Sequence, residues 1–331
     1  MVLRRHVSRA WPWVVASALA WCGGLLVFAG ITTPLWREGQ SPVLVALICA
    51  LGGLAMAATM AWVTGAFLAK IVTARPAQSG PPRGVAEQDW EELVSPTDRH
   101  AVFDPNVLED LPGPVRRWLW HAIDPGTPFL TAAEVEMSGS ILLGRTWRSF
   151  RSRQRVSLSK GFVWSTRTRL GALPVSGFDR YTHGSGEMSW RLLGRIPLMS
   201  AMDDAVTRSA AGRHVAEALA ALPAAALDPS ATWEAIDDVR AAAHLPVGGE
   251  VQKVTVTVGP TGQLRQLEMD RWGTPPGGAF GCYSFGAVFD AEGYFGGYRI
   301  PTLVTAGWHF GTEQCSEGRF IRYEITRVRF T

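Results

Sequence analysis

This sequence has few of the residues and motifs from which recognisable sites are built. Its four cysteines form no C-x-x-C pair and no Cys/His array, so we predict no metal site and no cofactor. Its seven histidines include no i, i+4 pair of the kind that binds zinc. The net charge is only +3 and no polybasic block occurs. A nucleic-acid partner is therefore not expected.

Complete catalytic motifs are missing as well. The segment Gly281 to Gly286 has the gap of a phosphate-binding loop, but no Lys-Ser/Thr pair follows it. The segment His183 to Gly186 resembles a nucleophile elbow without its first glycine, and a strand pattern rather than a helix follows. Both segments are typical of hairpin turns. The sequence therefore predicts no catalytic residue.

The N-terminal part of the chain contains two long apolar runs, residues 10–31 and 43–72. A membrane-spanning helix needs roughly 20 mostly apolar residues. A cleaved signal peptide is the alternative for the first run. However, its apolar core exceeds the roughly 7–15 residues usual for a signal, and the second run follows directly. We predict a transmembrane helical hairpin over residues 1–72, with the lipid bilayer as its partner.

Basic residues around the two runs predict their orientation. Only Arg37 lies between the runs, whereas three basic residues precede the first run and three lie at or beyond the end of the second: Arg4, Arg5, Arg9, Lys70, Arg75 and Arg83. The positive-inside rule then places both ends in the cytoplasm. A Pro- and Gly-rich linker, residues 73–100, would lead to a soluble domain, residues 101–331. We expect that domain on the cytoplasmic side of the cell membrane, where Cys282 and Cys315 would stay reduced.

Alternating apolar and polar residues predict an α+β fold for the soluble domain: a curled antiparallel sheet, or open barrel, with flanking helices. Helices are expected near Asp104–Ile123, with a break at Pro112, and at Asp203–Leu222. Short connections between neighbouring strands favour antiparallel pairing, and so many strands should curl. Glycine turns separate eleven predicted strands: Val135 to Leu143, Thr146 to Leu158, Gly161 to Leu170, Val175 to Thr182, Gly186 to Leu193, Arg240 to Pro246, Val251 to Val258, Leu264 to Trp272, Tyr283 to Ala291, Arg299 to Phe310 and Arg319 to Phe330.

The two faces of this predicted sheet differ in composition. Large apolar side chains share one face, and we expect it to bind a hydrophobic or lipid-like molecule through Phe162, Trp164, Met188, Trp190, Val304, Trp308 and Phe310. The same residues could instead form the core under the Asp203–Leu222 helix. The other face carries an arginine ladder, which is either a solvated surface or a site for anions or lipid headgroups: Arg151, Arg153, Arg155, Arg167 and Arg169.

Five stretches of the sequence, rich in glycine, aromatic residues or arginine, form a distinctive set: Gly161 to Trp164, Phe178 to Tyr181, Arg208 to Arg213, Phe295 to Pro301 and Gly307 to Thr312. Together they resemble an uncharacterised bacterial family of unknown function, over Phe103 to Phe330. The order helix, meander, helix, meander is also similar to the periplasmic lipoprotein-carrier fold. That resemblance implies a curled sheet that holds acyl chains on its concave aromatic face under a helical lid. The predicted spans and cytoplasmic domain depart from those carriers.

Three functions follow as hypotheses. The leading one is a non-enzymatic, membrane-anchored domain that binds a hydrophobic ligand. The alternatives are a scaffold or interaction domain, and a hydrolase acting on a membrane-derived substrate. The hydrolase would need distant polar residues to meet: Asp179, Arg180, Tyr181, Glu187 and His309. An enzyme requires such groups within hydrogen-bond reach of one another in a pocket, whereas an apolar cavity favours the binder.

Overall fold

The computed structural model describes residues 85–94 and 101–331, and short helical stretches between residues 41 and 62. Two compact units divide the chain, Met1–Thr73 and Ala74–Thr331. The first predicted span lies outside the described residues, and the second is described only in the short stretches up to residue 62. Within the described residues, no helix is long and apolar enough to cross a membrane.

A single antiparallel sheet dominates the second unit. Its thirteen strands are β1 (Ala132–Leu143), β2 (Thr146–Ser157), β3 (Gly161–Leu170), β4 (Leu173–Thr182), β5 (Ser185–Leu192), β6 (Ile196–Ala201), β7 (Thr232–Ala235), β8 (Arg240–Val247), β9 (Glu250–Val258), β10 (Leu264–Gly273), β11 (Gly281–Phe295), β12 (Tyr298–Trp308) and β13 (Arg319–Phe330). Their spatial order is β6-β5-β4-β3-β2-β1-β13-β12-β11-β10-β9-β8-β7. The two meanders therefore join where β1 pairs with β13.

Each predicted strand matches a strand of this sheet, and the antiparallel pairing is confirmed. Two strands were missed by the sequence pattern. In β6, Pro197 and a run of exposed apolar residues hide the alternation, and β7 is only four residues long. Both are the outermost strands of the sheet, where side chains are least constrained by a core.

Helices flank the sheet: α1 (Val85–Glu92), α2 (Gly113–Ala122), α3 (Asp204–Ala221) and the short α4 (Cys315–Gly318), with 3-10 turns at Pro105–Leu108 and Pro223–Leu227. The Asp104 carboxylate caps the first turn by accepting from Asn106 N at 3.0 Å. Asp203 caps α3 in the same way, accepting from Val206 N at 2.8 Å. The prediction of two helical segments separated at Pro112 is confirmed.

The position of α3 shows how the sheet curls. This helix packs chiefly on β5 and β10, although seven strands separate those two in the sheet. The sheet must therefore wrap around α3, which lies against its concave face. The convex face is covered in part by α1, whose Trp90 and Leu93 pack on Val163. Part of the predicted linker, residues 73–100, is thus a helix packed on the sheet.

Candidate functional site

A cavity of ≈ 580 Å³ lies between α3 and the concave face of the sheet. Protein interiors are normally close-packed, with few voids larger than a water molecule. Ligand pockets typically occupy about 300–1,000 Å³ and are lined mainly by apolar and aromatic side chains. The size of this cavity is therefore that of a ligand site rather than a packing defect.

Two apolar walls face each other across the cavity. The first is formed by β3 and β5, which contribute Phe162, Trp164, Met188 and Trp190. The second is formed by β10 to β12 and includes Leu267, Phe285, Ala287, Val304 and Trp308. Successive side chains of a strand point to opposite faces, so residues two apart line the same wall. The floor comes from β1 and β13, at the junction of the two meanders.

Two exposed apolar side chains mark the mouth of the cavity. Phe280 belongs to the loop between β10 and β11, and Met199 belongs to the edge strand β6. Both line the cavity, yet Phe280 is 51% exposed and Met199 is 42% exposed. The cavity is therefore open to solvent beside these two side chains.

Charged side chains from the sheet and α3 meet inside the cavity. The Asp179 carboxylate on β4 accepts from Trp190 Nε1 at 3.0 Å and from Arg213 Nη1 at 2.8 Å. Arg213 also donates from Nε to Glu217 at 2.7 Å, and Gln154 Nε2 donates to the same carboxylate at 2.6 Å. We call Asp179, Arg213, Glu217 and Arg271 the concave cluster.

Arg213 is the best-paired member of the concave cluster. Burial alone would lower the pKa of its guanidinium, but the charges of Glu217 and Asp179 outweigh that effect and raise it. The guanidinium also lies 4.8 Å from the Phe162 ring and 5.1 Å from the Trp164 ring, a cation–π geometry. This arginine joins α3 to the first wall.

Six of the seven predicted ligand-binding residues line this one cavity: Phe162, Trp164, Met188, Trp190, Val304 and Trp308. Aromatic rings also pack against one another within each wall of the cavity. Trp164 lies 6.0 Å from Trp190, and Phe285 lies 5.0 Å from Trp308. Trp164, Trp190 and Trp308 are each at most 8% exposed. These side chains therefore both stabilise the fold and form the cavity surface.

Phe310, the seventh predicted residue, lies elsewhere. Strand β12 ends at Trp308, and His309 adopts a left-handed conformation with φ 57°. The chain turns there, so alternation does not continue to Phe310. Its ring covers Gly286, where an added Cβ would lie 2.3 Å from Phe310 Cγ. Because Gly286 is next to the inward-facing Phe285, Phe310 packs on the opposite face of the sheet.

The predicted arginine ladder is divided between paired and exposed positions. Arg155 is buried, and its Nε donates to Glu134 at 2.7 Å while its Nη1 donates to the Trp90 carbonyl at 2.7 Å. Arg153 also pairs with Glu134. We call Glu134, Arg153 and Arg155 the convex cluster. Of the remaining predicted anion-site residues, Arg151 and Arg169 are exposed and Arg167 is half-buried.

The polar residues required by the hydrolase alternative do not form one group. Asp179, Arg180 and Glu187 line the cavity, but Asp179 is held by Arg213 and Trp190, and Glu187 accepts from Arg180 at 2.7 Å. His309 instead packs edge-on against Tyr283, 5.9 Å away. The carboxylates of this cavity are engaged by arginine, tryptophan and glutamine donors. That arrangement neutralises charge and provides no nucleophile–base pair.

Three side chains of types that can bind a metal lie close together outside the cavity, at the end of α1 and in the turn between β4 and β5: Asp89, Glu92 and His183. Asp89 is buried and its Oδ2 accepts from Arg180 Nη1 at 2.6 Å and from Thr182 Oγ1 at 2.7 Å. These bonds attach α1 to β4, so the Asp89 carboxylate is used by the fold.

Sequence reasoning missed the residues of the concave cluster other than Asp179. Arg213 and Glu217 are one helical turn apart on α3, and this i, i+4 spacing was available in the sequence. Arg271 is one of two arginines in β10, and no local pattern distinguished it from Arg265. Only the curl of the sheet brings it beside α3.

The pattern of a family described as "Family of unknown function (DUF6544)" matches residues 101–320. This segment spans about two thirds of the chain and includes α3 and both walls of the cavity. The chain therefore belongs to this family, as its resemblance predicted. No curated protein matches the sequence.

The solved structures that match this chain do so at low TM-score and low sequence identity. A LolA superfamily protein from Nitrosomonas europaea is 8% identical, with a TM-score of 0.36, over 66% of this chain and 92% of that one. A putative outer membrane lipoprotein-sorting protein domain from Vibrio parahaemolyticus is 11% identical, with a TM-score of 0.34, over 60% and 85%. A DUF1329 family protein from Desulfovibrio piger is 11% identical, with a TM-score of 0.29, over 61% and 86%. These similarities assign no ligand to this chain.

Proposed function

We propose that this DUF6544 member binds a hydrophobic, lipid-like molecule in the cavity between α3 and the sheet. The observation that supports this function is the ≈ 580 Å³ cavity itself, because its lining is dominated by aliphatic and aromatic side chains. Burial of an apolar ligand there would remove apolar surface from water, at roughly 25 cal/mol per Å². The exposed Phe280 and Met199 at the mouth provide an apolar entrance.

A photoreactive long-chain fatty acid tests this proposal on the full chain. After illumination and digestion, mass spectrometry should find the cross-links in α3, β3 to β5 and β10 to β12. Because cross-linking reports position directly, it separates binding in the cavity from non-specific adsorption on other apolar surfaces. Cross-links confined to residues outside the cavity would refute the proposal.

A substitution that fills the cavity provides the matched variant. Ala216 lies on α3 and lines the cavity, so Ala216→Phe should occupy ligand space without removing a buried side chain. The control is Ala235→Phe, the same substitution at the exposed end of β7. Cross-linking should fall about tenfold in Ala216→Phe and stay unchanged in Ala235→Phe, with both variants folded by circular dichroism. Equal labelling of the two variants would contradict the proposal.

Membrane attachment through the N-terminal apolar runs is part of the same proposal. Support comes from the length of runs 10–31 and 43–72 and from the basic residues around them. A reporter that is active only outside the cytoplasm, fused after Thr331, should give no signal. A strong signal would reverse the proposed orientation and place Cys282 and Cys315, both free thiols in the structure, in an oxidising compartment.

A further inference from the structure

Three arginines line the cavity, and their pairing differs. Arg180 binds the carboxylates of Asp89 and Glu187, at 2.6 and 2.7 Å. Arg213 binds those of Asp179 and Glu217. For Arg271, by contrast, no carboxylate among the described residues forms an ion pair. The formal charges of the concave cluster sum to zero, but both of its carboxylates are bonded to Arg213. Arg271 is therefore the cation whose charge the fold leaves without a direct partner.

The surroundings of Arg271 compensate its charge only weakly. Its Nε and Nη2 donate to the Ser209 carbonyl oxygen at 3.4 Å, and Nη2 lies 3.4 Å from Ser209 Oγ. These distances are at the long limit for a hydrogen bond. The guanidinium also lies 4.7 Å from the Phe285 ring and 5.2 Å from the Trp308 ring. Ring faces attract a cation, but they do not satisfy its N–H donors.

The electrostatic state of Arg271 agrees with this geometry. Burial, together with the like charge of Arg213, lowers the pKa of Arg271 to about 10, although Glu217 and Asp179 act in the opposite direction. A buried cation without a paired anion is unfavourable. Arg271 also lines the cavity, so its guanidinium can be reached by a ligand that occupies this space.

We propose that Arg271 binds the anionic end group, a carboxylate or a phosphate, of an amphiphile whose apolar tail occupies the cavity. This inference rests on the proposed function and specifies the chemical class of its ligand. The planar guanidinium matches a carboxylate or phosphate in bidentate geometry, and such charge-assisted bonds are stronger than neutral ones. The tail would then lie along Phe285, Trp308 and the facing tryptophans of the first wall.

Competition among amphiphiles that differ only in their end group tests the inference. The full chain is labelled with a photoreactive fatty alcohol, which is uncharged. Unlabelled competitors of one chain length, a fatty acid, an alkyl phosphate and a fatty alcohol, are then compared for displacement. The fatty acid or the alkyl phosphate should displace the label at a concentration about tenfold lower than the alcohol does. The better of the two identifies the end group.

Variants of Arg271 establish whether this residue causes the preference. Arg271→Met should remove most of the tenfold preference and leave displacement by the alcohol unchanged. Arg271→Lys, which keeps the positive charge, should retain part of the preference for the anionic competitors. This variant replaces Arg271→Met in the test if the methionine variant does not fold. Arg265, exposed on the same strand β10, provides the control Arg265→Met, which should behave as the wild type.

The outcomes separate the inference from the proposed function. If the alcohol displaces the label as well as the anionic competitors do, the ligand is hydrophobic but Arg271 does not select its end group. An anion preference that persists in Arg271→Met also overturns the inference. If the uncharged label does not mark the cavity and no competitor changes its labelling, the proposed function fails with the inference.

Discussion

The two faces of the sheet use buried arginines in different ways. On the convex face, Arg153 and Arg155 share the Glu134 carboxylate, and Arg155 also binds the backbone of α1. On the concave face, Arg213 takes both carboxylates of the concave cluster, and Arg271 is left with Ser209 and two aromatic rings. The convex cluster attaches a helix. The concave cluster lines a cavity and contains one cation, Arg271, that has no direct ion pair among the described residues.

The way in which an arginine is paired therefore distinguishes one that stabilises the fold from one that is available to a ligand. Ion pairs in which every charged group has a partner stabilise the fold, and their removal should lower the free energy of unfolding. A buried charge that the fold does not satisfy costs stability in the absence of a ligand, so its presence beside an apolar cavity indicates a role in binding. Substitution of a paired residue in either cluster should therefore reduce stability, whereas substitution of Arg271 should change ligand selection.

The largest effect is expected for Asp179→Ala. This change removes one partner of Arg213 and the acceptor of Trp190 Nε1, leaving more buried positive charge than negative. Breaking a buried ion pair typically costs about 3–5 kcal/mol. Denaturant unfolding of the full chain measures the loss. Asp270→Ala, at an exposed position of β10, should change stability by at most about 0.5 kcal/mol. A similar small change for Asp179→Ala would mean that the concave cluster is not held together as described.

Trp190→Ala should also be strongly destabilising. Trp190 is 8% exposed, stacks near Trp164 and donates to Asp179, so its removal should cost about 3–5 kcal/mol. A loss of stability in Trp190→Ala does not tell whether the residue belongs to a ligand site or to a packed core, because its side chain contributes to both. A thermal melt that leaves Trp190→Ala as stable as the wild type would contradict this dual role.

A smaller loss is expected for Glu134→Gln in the convex cluster. The neutral amide weakens the bonds to Arg153 and Arg155, and hydrogen bonds to charged groups contribute about 1.5–3 kcal/mol. Arg155 keeps the Trp90 carbonyl and Glu91 as partners, which limits the loss. Ligand displacement should be unaffected, since Glu134 faces away from the cavity. Glu324→Gln, at an exposed position of β13, is the control.

The same variant should alter how stability depends on pH. Burial opposes ionisation of Glu134, but its bonds to Arg153 and Arg155 and their charges outweigh burial and lower its pKa. The unfolded chain, with a glutamate pKa of about 4.3, then binds more protons than the folded chain. Stability from this group is present above pH 4.3 and is lost as the pH falls through the folded pKa. The stability difference between wild type and Glu134→Gln should therefore shrink below about pH 4. A difference that stays constant to pH 2.5 would contradict the pKa shift.

Local patterns were sufficient to predict most of the sheet and six of the cavity residues. Alternation with period two fixed which side chains share a face, and glycine turns fixed where strands end. Phe310 lies on the opposite face from Trp308 because the left-handed backbone at His309 interrupts the alternation. The arginine ladder was predicted as either a solvated face or an anion site, but α1, within the predicted linker, covers Arg155. The concave cluster joins residues from β4, α3 and β10, and only the curl of the sheet brings them together.

The free energies of unfolding of Arg213→Met and Arg271→Met, measured on the full chain without added ligand, test the contrast between a paired and an unpaired arginine most directly. Arg213→Met leaves the carboxylates of the buried Asp179 and the half-buried Glu217 without their arginine partner and should lose about 3–5 kcal/mol. Arg271→Met replaces a buried cation that has no direct ion pair with an apolar side chain of similar length, so its stability should differ from that of the wild type by at most about 1 kcal/mol. A loss in Arg271→Met as large as that in Arg213→Met would show that the fold uses both arginines alike, and it would contradict a ligand-binding role for Arg271.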